Sequence, residues 1–89
     1  MPYINRQERL KVDQQINKLI DKICFEQAGK AGLLNYTITR LMHGVYHLDN
    51  PSYEKINSAI GVLECAKQEL YRKKAAPYEE EKIQENGDV

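Results

Sequence analysis

Residues able to do chemistry gather on the stretch "LLNYTITRLMHGVYHL", residues 33–48. Asn35, Thr39 and His43 recur every four residues, with Tyr36, Arg40 and His47 close beside them. On a helix, side chains four apart share a face. Arginine offers a planar fork that holds a phosphate or carboxylate through two hydrogen bonds. Tyrosine offers an apolar ring with a polar tip. Lys67, Tyr71 and Arg72, with Glu64, repeat the pattern further along the chain. Together these side chains suit a small anionic, nucleotide-like ligand. They are also the side chains of any solvated helix face.

Other chemistries are less well served. His43 and His47 stand four apart, and Cys24 and Cys65 would complete a Cys2His2 set. Neither cysteine has a second ligand at chelating distance, and "HGVYH" lacks the glutamate of a zinc-protease helix. No metal or cofactor is expected, and both thiols are expected to be reduced and buried as small hydrophobes. Cys65 in "LECAK" has no helix start or glycine to lower its pKa. No nucleophile elbow, phosphate-cradling loop or carboxylate pair is present, so a non-enzymatic protein is expected. A helix-turn-helix would place residues 33–48 on DNA, but Arg40 is the one basic side chain there besides the histidines. Thirteen Lys and Arg balance thirteen Asp and Glu. A neutral chain lacks the bulk charge that holds proteins on nucleic acid.

These residues need elements to carry them. At 89 residues the chain has room for one small core. Asn5 stands three before Glu8, a capping-box spacing, and Val12, Ile16, Leu19, Ile20 and Ile23 follow as an apolar stripe. A first helix therefore runs from Asn5 to the glycines at 29 and 32, either of which can take a left-handed C-cap. A second runs from Leu33 to Leu48 on Leu34, Ile38, Leu41, Met42 and Val45. "DNPS", residues 49–52, breaks it, with Asn50 as cap and Pro51 at the first helical position.

The third helix spans Pro51 to Ala75 or Ala76 on Ile56, Ala59, Ile60, Leu63, Ala66 and Leu70. Pro77 is expected to end it. Gly61 costs its interior about 1 kcal/mol, which either a close helix contact offsets or the helix tolerates. Residues 77–89 carry five acids and one lysine, after the basic helix end Arg72-Lys73-Lys74. They read as a solvated acidic tail, or as a segment folded back through Tyr78 and Ile83. The division is thus a helical domain 1–76 and a tail 77–89. The chain reads as all-α: three helices in a hairpin with an acidic tail.

A third helix of about 37 Å outruns a globule whose radius of gyration is about 12 Å. Val62, Cys65 and Phe25 lie off the main stripes. This second apolar strip points to a homo-oligomer. The opening Met1-Pro2-Tyr3-Ile4 does not make a signal peptide, and no apolar run approaches a membrane span. A cytoplasmic protein is expected.

"MPYI", "LNYTITRL" and the long string "INSAIGVLECAKQELYRKKAAPYEEEKIQENGDV" resemble a family of short uncharacterised proteins of bacteriophages and prokaryotes. The resemblance covers nearly the whole chain. It implies a phage-type accessory protein acting inside a bacterial cell, and brings no catalytic residue or cofactor. A looser similarity of architecture links the chain to small helical phage proteins that sequester cyclic nucleotide immune signals. The expected function is anti-defence: sequestering a nucleotide-like signal between subunits. The alternative is an interaction module that docks a host protein through its acidic tail or an exposed helix face.

Overall fold

The computed structural model describes residues 3–26 and 28–89, and every regular element among them is helical. Met1 and Pro2 of the opening segment lie outside the described residues. The chain divides into two units, Met1–His47 and Leu48–Val89.

The first unit opens with the expected capping box. The Glu8 amide donates to Asn5 Oδ1 at 2.9 Å, and the Asn5 amide donates back to Glu8 Oε1 at 3.4 Å. The helix it starts is one turn long: α1, Arg6–Arg9. Leu10–Val12 form a turn, and Val12, at φ −125°, begins a new helix, α2, Asp13–Cys24. One continuous first helix was expected, and no glycine or proline announces the break. Gly29 takes the left-handed conformation at φ 74° and leads into α3, Lys30–Tyr46. Gly32 falls inside α3, which starts three residues ahead of the expected position. α2 and α3 are in contact. A groove of about 410 Å³ lies at their joined ends, lined by Leu19, Ile23 and Phe25 on one side and Leu33 and Thr37 on the other.

α3 ends at His47, which adopts φ 53° and donates its amide to the His43 carbonyl. Left-handed backbone is costly for a residue with a Cβ, although histidine tolerates it better than most.

The second unit is one run of helix. Ser52, not Asn50, is the cap: its Oγ accepts from the Lys55 amide at 3.2 Å. Asn50 instead offers its carbonyl to Lys55 Nζ at 2.8 Å. α4, Tyr53–Leu70, passes into a π-turn at Tyr71–Ala75 and continues as α5, Ala76–Asn86. Pro77 therefore does not end the helix, and residues 77–86 of the acidic segment are helical. In an unbroken α-helix the proline ring meets the carbonyl four residues earlier and supplies no N–H. The wider π-turn moves the Ala76 amide onto the Tyr71 carbonyl and leaves Pro77 in the first turn of α5, where its missing N–H is tolerated.

That insertion has a second effect. Eight residues of α-helix rotate about 80° past two full turns. One extra residue in a π-turn cancels most of that rotation. Tyr71 and Glu79, eight apart, are accordingly in line, and the Tyr71 hydroxyl donates to Glu79 Oε2 at 3.3 Å.

Little of either unit is buried. Ala59, at 4% exposure, is the one buried side chain among the described residues. A Cβ at Gly61 would meet nothing within 4 Å, so this glycine is tolerated rather than required by a close contact.

Candidate functional site

α3 places the polar ladder as the spacing predicts. Asn35, Thr39, His43, Tyr36 and Arg40 span an arc of about 140° on one side of the helix, and all five are exposed. The arc is opposite Leu34, Ile38, Leu41 and Val45. One pair within it is preorganised. Arg40 Nη1 donates to the Tyr36 hydroxyl at 2.9 Å, and the guanidinium carbon lies 5.7 Å from the ring centre. This contact uses one of the five guanidinium donors and holds the arginine beside the ring. Thr37, one residue off the ladder, turns its hydroxyl to the Leu33 carbonyl at 2.8 Å.

The two histidines do not share a helical face. His47 has left the helix in its left-handed cap, so the four-residue spacing no longer aligns the imidazoles. No group of three or more His, Cys, Asp or Glu among the described residues can hold a metal ion. Cys24 and Cys65 are both exposed, which corrects the expectation of buried thiols. The reason is general: neither unit closes a core around its stripes.

Lys67, Tyr71 and Arg72 belong to the other unit, and each is held by an acidic neighbour. Lys67 Nζ stands 3.3 Å from Glu64, which also accepts from Gln68 at 3.2 Å. The Gln68 bond first, and then Lys67, lower the Glu64 pKa. Arg72 and Lys73 converge on Glu69 Oε1 at 2.8 and 3.0 Å. Lys73 first, and then Arg72, hold the Glu69 carboxyl down to about 2. Glu69 is the organising residue here, and the polar ladder does not include it. Its signal lies in the three- and four-residue spacing to Arg72 and Lys73.

A depressed carboxylate stabilises the fold above its unfolded pKa and loses that contribution as pH falls through the folded value. For Glu69 the window runs from the ordinary value of 4.5 down to about 2. A carbon-detected titration should find Glu69 ionised well below the ordinary value of 4.5. Lys73→Ala should raise its midpoint, and an unmoved midpoint would show that Lys73 is not the main cause.

No helix among the described residues is long and apolar enough to cross a membrane. Comparison with curated proteins gives no match, and comparison with solved structures gives none. One family covers the whole sequence: the chain, matched over residues 1–89, belongs to the family described as a domain of unknown function, DUF6899.

Proposed function

We propose that this chain is a non-enzymatic binding protein that works through its helix faces, against other protein chains. One observation carries the reading: the stripes that ought to form a core are uncovered. Ile16, Ile20, Leu34, Leu41, Val45, Ile60 and Leu70 are all exposed. Uncovered apolar stripes of this kind suit contacts with other proteins. The hairpin arrangement of helices and the homo-oligomer belong to this proposal, as does docking on a host protein as a phage-type accessory factor in a bacterial cytoplasm.

A second reading rests on the Tyr36–Arg40 pair. In it, a nucleotide-like anion is sequestered between subunits, with Arg40 on the phosphate, Tyr36 against the base, and Asn35, Thr39 and His43 at the rim. The ion pairs of Lys67 and Arg72 give these residues a smaller part, since a ligand would have to displace Glu64 and Glu69. The groove at the α2–α3 junction is lined by Lys22 and Glu26 besides its apolar side chains, opposite charges that give no net attraction for an anion.

Native mass spectrometry of the protein purified from the cells that make it separates the two. A stoichiometric protein partner, or copies of the chain that retain no small molecule, supports the first reading. A retained small anion supports the second. Calorimetric titration with cyclic di- and trinucleotides and ADP-ribose derivatives then tests Arg40→Ala. Loss of a charged hydrogen bond of about 1.5–3 kcal/mol should weaken binding roughly 10- to 150-fold. Wild-type silence across the panel would remove the nucleotide reading.

A further inference from the structure

We propose that the π-turn at Tyr71–Ala75 is a phase corrector. It absorbs one residue, so that α5 continues the apolar face of α4 and the two act as a single amphipathic helix. Pro77 holds the turn in place. The device builds that face, whichever partner covers it.

The stripe of α4 sets the reference. Ile56, Ala59, Ile60, Leu63, Ala66 and Leu70 recur at three and four residues and share one side of the helix. A plain α-helix turns by about 100° per residue. Carried on past Leu70, it would bring Glu81 to within about 10° of the midline of that stripe. Glu85 would stand about 45° from the midline, and Tyr78 about 65°. An acidic line would then follow the apolar one.

One absorbed residue turns everything beyond it back by about 100°. Lys82 then takes the place of Glu81 near the midline, and Tyr78 comes to within about 35° of it. Glu80 and Gln84 move to the opposite side. The Tyr71–Glu79 hydrogen bond of 3.3 Å reports this phase, because a plain α-helix would set the two residues about 80° apart. A lysine on such a face adds an apolar stem and carries its charge outward. Lys82 Nζ lies 5.5 Å from the Tyr78 ring centre and 3.0 Å from Glu85 Oε2.

A proline alone does not dictate this outcome. An interior proline can stop a helix or kink it. Stopping at Ala76 would end the face there. A kink would keep the α-helical phase and leave Glu81 on the stripe. The π-turn keeps the helix and shifts its phase by the one residue that removes Glu81 from the stripe and brings Tyr78 onto it.

The test compares the full chain with three variants. Pro77→Ala removes the demand for the turn. Pro77→Ala with Lys74 deleted also removes the residue that the turn absorbs, which restores the wild-type phase in a plain α-helix. Pro77→Ala with Lys74→Ala has the charge of the deletion variant and keeps the residue. The nuclear Overhauser contact between the Tyr71 ring and the Glu79 side chain reads the phase. Retention on a phenyl matrix in a falling salt gradient reads the continuity of the apolar face. Pro77→Ala should lose the contact and elute earlier than wild type. The deletion variant should regain the contact and elute later than its Lys74→Ala companion. A contact kept in Pro77→Ala would overturn the proposal, because Pro77 would not be what holds the turn. Equal retention of the deletion variant and its companion would also overturn it, because α5 would then add nothing to the face of α4.

Discussion

Ile16→Ala is expected to destabilise the protein by about 2–4 kcal/mol, the cost of emptying a core position. The side chain is 46% exposed in the single chain. An exposed residue with no special role changes stability by no more than about 0.5 kcal/mol. The two expectations differ several-fold, so a urea unfolding curve decides between them. A change under about 0.5 kcal/mol would mean that solvent faces α2 in the working protein. Gln14→Ala, on the opposite side of the same helix, is the control and should be nearly silent.

The second large effect is at Pro77. Pro77→Ala should stabilise the long helix by about 1–3 kcal/mol, because the alanine amide can bond four residues back and its Cβ does not meet that carbonyl. The π-turn at Tyr71–Ala75 should revert to α-helix. With the extra residue absorbed, α5 rotates by about 100° against α4 and the Tyr71–Glu79 bond is lost. Amide exchange should slow across residues 72–77, and the Tyr71 hydroxyl should lose its acceptor. Unchanged exchange would show that the π-turn is held by something other than the proline.

Two helix starts were legible from their caps: Asn5 with Glu8, and Ser52, two residues past the expected cap; Gly29 is left-handed but precedes α3, and the helix it was expected to cap ends at Cys24. The break at Leu10–Val12 was not legible, since "RLKVD" contains no breaker. Pro77 misled, because a proline ends a helix only when the backbone has no wider turn to offer. The histidine pair misled for a related reason: the spacing of four assumes that both residues are helical, and His47 is the cap. The Tyr36–Arg40 pair was legible from its spacing of four, and the structure supplies its hydrogen bond. Exposure was the least legible property. A stripe specifies which face needs cover, and nothing in one chain specifies what provides it. Sequence therefore places Cys24, Cys65 and Phe25 by type rather than by neighbour, and Phe25 stands 85% exposed.

The most direct measurement is thermal unfolding of the wild-type chain over a range of concentrations, followed by helix dichroism. If copies of the chain cover its apolar faces, unfolding is also dissociation, and the midpoint depends on concentration. For a dimer with the usual enthalpy per residue, about a hundredfold dilution should lower the midpoint by about 8 °C. Midpoints that superimpose at every concentration, with the helix signal intact at the lowest, would contradict the account.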